Sequence, residues 1–173
     1  MAQEIEQERT YLAAILPPEV YSCDHVSMRD VYFPASAEHA YTRVRQKNDK
    51  YEFTKKTATD PTTAGIMIEE NVVLTREEFE ALAKGDGREL RKTRYYMPYN
   101  GLVAEVDIFE GDLKGLVIIE FEFTSKTDML SFEMPDFCLA DVTEDPAIAG
   151  GILAGKTYDE IEQRLAQYGY RPL

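Results

Sequence analysis

The chain has 173 residues and a formal net charge of −13, from 32 Asp and Glu against 19 Lys and Arg. Its length suits one domain with one core, so we expect residues 1–173 to form a single domain. Duplex nucleic acid is not an expected partner, because its phosphates are contacted by Lys and Arg. No stretch approaches the ~20 apolar residues of a membrane helix, and no basic, apolar leader is seen. The sequence therefore predicts a cytoplasmic protein with no membrane partner.

Most of the chain alternates apolar and polar residues with a period of two, which is typical of β-strands. Turn signals separate these stretches at Asn48-Asp49, Asn100-Gly101 and Gly111-Asp112, and residues 60–65 read as a loop. The predicted strands are residues 4–12, 29–33, 41–46, 50–56, 65–74, 89–97, 101–109, 116–123 and 137–142.

Two helices are indicated by capping boxes, in which a Thr is followed three residues later by a Glu. One begins after Thr75, with Glu78, and the other after Thr157, with Glu160. A third, shorter helix is predicted at residues 126–132. The expected fold class is α+β and strand-dominated, with antiparallel strands and a few peripheral helices.

Five of the predicted strands carry two like-charged residues at positions i and i+2, which share one face of a strand. These pairs are Glu6 and Glu8, Arg43 and Arg45, Lys92 and Arg94, Glu105 and Asp107, and Glu120 and Glu122. In an open sheet this face would be solvated, whereas in a closed barrel it would line the lumen. Charges inside a barrel need partners. Clustered Arg and Lys suit phosphate, and clustered carboxylates suit Mg²⁺ or Mn²⁺, so the second alternative predicts metal-bridged binding of a phosphate chain.

Six segments of the chain form a recognisable set: EQERTYL at 6–12, RVR at 43–45, TKK at 54–56, KTRY at 92–95, EVDIFEGDLKGLVIIEFEF at 105–123 and PDFCLADVT at 135–143. In order and spacing they resemble the CYTH superfamily of triphosphate tunnel metalloenzymes. The resemblance implies an eight-stranded antiparallel β-barrel, the triphosphate tunnel, with helices packed outside. It also implies hydrolysis of inorganic, thiamine, RNA 5′- or nucleoside triphosphates, while some members form cyclic AMP.

The same resemblance implies roles for individual residues. Metal ligands for Mg²⁺ or Mn²⁺ would be Glu6, Glu8, Glu105, Asp107, Glu120 and Glu122. Substrate-binding residues would be Arg43, Arg45, Lys56, Lys92 and Arg94. Catalytic residues would be Glu6, Glu8, Lys56 and Arg94.

The chain departs from the family pattern at several positions. Thr10 occupies the lysine position of the N-terminal signature in the register through Glu6 and Glu8, so we expect weaker or altered activity. A register through Glu4 and Glu6 would place Glu8 there instead, and we prefer the first because the flanking residues then fit the family. In the strand at 65–74 the expected charges are sparse, and we interpret Glu70 as facing inward and Glu69 as facing outward. Near the C-terminal end, Phe137 and Asp141 replace a tryptophan and a glutamate of the family.

The leading hypothesis is a metal-dependent triphosphatase acting on inorganic triphosphate or a small organic triphosphate. Alternatives are a catalytically weak or inactive polyphosphate- or nucleotide-binding module, an adenylate cyclase, a thiamine triphosphatase and a scaffold without a ligand. A homodimer is possible. Several other residues are given structural roles: Tyr95, Tyr96 and Tyr99 as packing residues, His25 and His39 as surface or turn residues, and Cys23 and Cys138 as small apolar residues.

Overall fold

A single antiparallel sheet closes on itself in the computed structural model, which describes residues 2–60 and 64–173. The predicted strands all appear, although the second begins at residue 25 instead of 29 because His25 already pairs with Tyr95. The loop predicted at residues 60–65 includes residues 61–63, which lie outside the described residues. The strands are β1 (Ala2–Ala13), β2 (His25–Phe33), β3 (Thr42–Lys47), β4 (Lys50–Ala58), β5 (Ile66–Leu74), β6 (Arg88–Tyr99), β7 (Leu102–Phe109), β8 (Val117–Glu122) and β9 (Cys138–Asp141).

The barrel is formed by β1 to β8 in the order β5-β4-β3-β2-β6-β7-β8-β1. It closes because the first half of β1 pairs with β5, as in the pairing of Ile5 with Ile68. The second half of β1 pairs with β8 on one side and with the short strand β9 on the other. The predicted eight-stranded antiparallel barrel is therefore confirmed.

In the described part of the chain, four α-helices accompany the barrel: α1 (Arg76–Ala83), α2 (Lys126–Ser131), α3 (Gly150–Leu153) and α4 (Tyr158–Ala166). Both predicted capping boxes are present, at Thr75 and Thr157. Short 3-10 turns occupy Pro18–Ser22, Gly111–Leu113 and Pro146–Ile148. Within the described part of the chain, no helix has the length and apolar character to cross a membrane.

The outer wall of β1, β7 and β8 is apolar and covered. Ile119 and Phe121 are fully buried there, and their cluster includes Met129 of α2. On the opposite side, Phe79 of α1 packs against Val31 and Val44. The apolar faces of the strands therefore point outward under α1 and α2, which turns the alternate, charged faces toward the lumen.

The C-terminal segment closes one end of the barrel. Ile161 and Leu165 of α4 belong to the same buried cluster as Leu90, Phe109 and Ile118, whose side chains line the lumen. The helix α3, which the sequence did not predict, is part of this closure. It can lie close to Tyr32 and Ala40 because it begins with two glycines. A Cβ on Gly151 would lie 1.9 Å from the Ala40 carbonyl oxygen, and one on Gly150 would lie 2.4 Å from the Tyr32 hydroxyl.

Candidate active site in the barrel lumen

A cavity of about 510 Å³ occupies the lumen. It brings together all but one of the predicted site residues, and that one, Glu105, binds the cavity residue Arg94. The closed barrel therefore favours the second of the two alternatives for the charged faces. The predicted residues that line the cavity are Glu6, Glu8, Arg43, Arg45, Lys56, Lys92, Arg94, Asp107, Glu120 and Glu122.

Arg45 is held by a residue that the sequence reasoning missed. Asp30 pairs with Arg45 across β2 and β3, and its two carboxylate oxygens accept hydrogen bonds from Nε and Nη2 of Arg45, both at 2.6 Å. Both side chains are buried, and Asp30 has no exposed surface. Burial by itself would raise the pKa of Asp30, but the adjacent guanidinium holds that pKa well below its ordinary value.

Arg94 is the centre of the largest ion-pair network. Its guanidinium donates to both oxygens of Asp107 at 2.6 Å and also reaches Glu105 and Glu120. Lys92 donates to the same Asp107 carboxylate. Burial would raise the pKa of Asp107, but Arg94 and Lys92 outweigh it and lower the pKa to about 2. In the ligand-free barrel, Asp107 is therefore saturated with cationic donors.

In β5, Glu69 faces the lumen and Glu70 faces outward, which is the reverse of the prediction. Glu69 pairs with Lys56 across β4 and β5 and lies 3.5 Å from the Lys56 ammonium and 3.7 Å from the Arg43 guanidinium. Glu70 pairs with Lys55, whose side chain is exposed. The interpretation of Glu70 as the inward residue was wrong, because strand pairing and not the weak local alternation sets which face points to the lumen.

Two carboxylates in the cavity have no cationic partner at contact distance. Among the residues that the structure describes, none makes a hydrogen bond or ion pair with the side-chain carboxylate of Glu8 or Glu122. Burial raises the pKa of Glu8 to about 8, with Lys56 opposing and Glu6 and Glu120 adding to the rise. Burial and the nearby Glu6 also raise the pKa of Glu122. A bound cation would relieve this cost.

The carboxylates therefore fit a hard divalent cation in their chemistry, although they are not drawn together around one. Across residues 2–60 and 64–173, no group of three or more Asp, Glu, His or Cys side chains is arranged to hold a metal ion. The reason is visible in the ion pairs: Glu6 binds Lys56, and Glu120 binds Arg94. Without a cation, like charges separate, and the Glu6 and Glu120 carboxylates turn to basic neighbours.

Thr10 lies in the lumen, where the sequence comparison placed it. It lines the cavity and pairs with Glu120 across β1 and β8. Its backbone N–H donates to the Thr143 hydroxyl at 3.0 Å. A lysine at this position would bring an ammonium group between two strands rich in carboxylates.

His39, interpreted as a surface or turn residue, lies in the loop at residues 34–41, and this loop also borders the cavity. His39 lines the cavity and stacks on Tyr41, with 4.0 Å between the ring centroids. No pattern in the sequence indicates this second role, since only the folded chain brings the loop to the lumen. Tyr95 and Tyr99 pack against other aromatic rings, as predicted.

A closed antiparallel barrel whose lumen carries both basic and acidic side chains defines a protein class that binds a chain of phosphates inside a tunnel. The CYTH domain profile matches residues 4–128, and the chain belongs to this family. It is 31% identical to the inorganic triphosphatase of Nitrosomonas europaea over 154 residues, which covers 86% of this chain and 96% of that protein.

Two further comparisons agree. The inorganic triphosphatase of Acetivibrio thermocellus is 32% identical over 122 residues, covering 70% of this chain and 76% of the relative. The crystal structure of the inorganic triphosphatase NE1496 matches with a TM-score of 0.63 at 28% identity, covering 87% of this chain and 95% of that one.

Proposed function

We propose that this protein hydrolyses inorganic triphosphate, releasing the terminal phosphate by attack of water. The observation that carries the proposal is the lumen itself, where buried and half-buried basic side chains on three strands face one cavity. A cavity of this charge recognises the phosphate chain and not a particular organic group. The similarity to two inorganic triphosphatases supports this substrate.

The basic residues would bind and orient the phosphate chain and stabilise the charge that develops on its oxygens. Arg43, Arg45 and Lys56 approach from β3 and β4, and Lys92 and Arg94 approach from β6. Because Lys56 and Arg94 are ion-paired without substrate, binding would exchange part of these carboxylate contacts for phosphate oxygens.

We propose that Glu6, Glu8, Glu120 and Glu122 would hold Mg²⁺ or Mn²⁺. When bound, such a cation neutralises phosphate charge and lowers the pKa of a coordinated water. Glu105 and Asp107 were assigned to the same set by resemblance, but their contacts with Arg94 support a role in orienting that guanidinium. The choice of metal, a homodimer and a cytoplasmic location remain predictions.

The test is phosphate release from inorganic triphosphate with Mg²⁺ or Mn²⁺, comparing wild type with Glu120→Gln/Glu122→Gln. We expect a loss of about a hundredfold or more, because cation-binding oxygens are removed while side-chain size is kept. The matched control is Glu77→Gln/Glu162→Gln, which removes two exposed glutamates outside the barrel and should retain activity. Equal rates in the two double variants would refute the metal site.

A non-catalytic binding module is the second candidate, and Thr10 favours it because the signature cation is missing. It predicts metal-dependent binding of triphosphate by calorimetry without phosphate release over hours. A panel of nucleoside and thiamine triphosphates completes the test, since preference for one of these over inorganic triphosphate would overturn the proposed substrate.

A further inference from the structure

We propose that Asp30 is a positioning residue that holds Arg45 in the orientation needed to bind the phosphate chain. The inference rests on the proposed function, and it concerns a residue that neither the motifs nor the comparisons assign. Its basis is geometric: the two side chains are paired across adjacent strands and joined by two hydrogen bonds of 2.6 Å.

The contact leaves Arg45 able to bind an anion. A guanidinium has five N–H donors, and Asp30 takes one from Nε and one from Nη2. The others remain for phosphate oxygens in the cavity that both residues line. Asp30 itself has no exposed surface, and both its oxygens are occupied, so it acts through Arg45 and does not touch the substrate.

The environment explains why this orientation needs a dedicated partner. Arg43 lies on the same face of β3, two residues away, and Arg45 would be repelled by it in a low-dielectric interior. The charge of Asp30 offsets this repulsion. Arg43 is placed differently, by the Tyr32 hydroxyl at 3.1 Å and by Glu69. The two arginines of the β3 pair thus have different hydrogen-bond partners, and Asp30 is the only described residue that forms a hydrogen bond or ion pair with the Arg45 side chain.

The experiment is a double-mutant cycle with Asp30→Asn, Arg45→Gln and the double variant, measuring kcat and KM for inorganic triphosphate. Asn keeps the size of Asp30 but presents an amide donor to a guanidinium that can only donate. We expect Asp30→Asn to lower kcat/KM by roughly tenfold to a hundredfold, mainly by raising KM. This is the loss expected when one charge-assisted hydrogen bond to phosphate is removed. The double variant should be no less active than Arg45→Gln.

Two comparisons separate positioning from other roles. Losses that multiply in the double variant would overturn the proposal, because Asp30 would then act independently of Arg45. A higher metal concentration for half-maximal activity in Asp30→Asn would also overturn it, in favour of a metal ligand. Glu89→Gln is the control, since it removes the carboxylate of an ion pair with Arg29, neither residue lines the cavity, and KM should be unchanged.

The cycle remains decisive if a single variant is unstable. Asp30→Asn leaves Arg45 buried without its counter-ion and can fail to fold. The double variant removes both charges, so it can be compared with Arg45→Gln alone: equal kcat/KM supports positioning, and a further loss refutes it. Inactivity of the wild type toward triphosphate would instead count against the proposed function.

Discussion

At the scale of single residues, Thr10 is the position that the sequence resemblance assigns to the signature lysine. It lies in the lumen beside the carboxylate-rich strands β1 and β8, and it faces Glu120 across the sheet. The five predicted basic residues all lie in the same cavity, so the phosphate site does not depend on this position alone. We therefore expect Thr10 to affect the rate of hydrolysis more than whether hydrolysis occurs.

Thr10→Lys is expected to raise kcat/KM for inorganic triphosphate. The added ammonium can donate a charge-assisted hydrogen bond to phosphate, which corresponds to roughly tenfold to a hundredfold in rate. Phosphate release is the measurement, and Thr57→Lys on an exposed position of β4 is the control for added charge. An unchanged kcat/KM in Thr10→Lys would show that the substrate does not use this position.

At the scale of elements, the C-terminal segment completes the barrel by filling one end. Tyr170 anchors this segment to the loop before β8: its hydroxyl accepts from the Val117 N–H and donates to the Gly115 carbonyl, both at 2.8 Å. The Val117 donor is buried, so the contact satisfies a backbone group that water cannot reach.

Tyr170→Phe should lower the free energy of unfolding by roughly 1–3 kcal/mol, because the buried Val117 N–H loses its acceptor. Urea unfolding at pH 7 measures the change. Tyr21→Phe is the matched control, because Tyr21 is 61% exposed and its ring contacts only Tyr95 among the described aromatic residues. Equal losses in the two variants would mean that the hydroxyl does not anchor the segment.

At the scale of the whole molecule, the charged interior makes stability depend on pH. The pKa of Asp30 is lower in the folded chain than its ordinary value, because Arg45 outweighs the effect of burial. A carboxyl of this kind contributes its full stability above the ordinary aspartate pKa of about 4, and the contribution is lost as the pH falls below it.

Wild type should therefore lose stability in acid more steeply than Asp30→Asn/Arg45→Gln, which lacks this ion pair. The expected difference is roughly 1.4 kcal/mol for each pH unit below about pH 4, since one proton is taken up on unfolding. Urea unfolding from pH 7 to pH 3 checks it. Parallel curves for the two proteins would contradict the assigned pKa direction.

Most residues of the candidate site could be predicted from the sequence, because alternation along a strand determines which residues share a face. Glu120 and Glu122, or Arg43 and Arg45, must point the same way once their strand forms. Asp30 escaped this reasoning because its neighbours on the same face, Met28 and Tyr32, carry no charge. An isolated charge in a strand gives no pattern that distinguishes a lumen residue from a surface one.

The sequence by itself determined the strands, the two capped helices and the pairs of charges, since these depend on short-range periodicity and local hydrogen bonds. Only the tertiary structure decided which face of each strand is internal. Pairing of β4 with β5 places Glu69 rather than Glu70 beside Lys56, closure of β1 onto β5 completes the barrel, and α4 fills the end that the strands leave open. Such choices depend on pairing between distant residues, and one-residue changes in register reverse them.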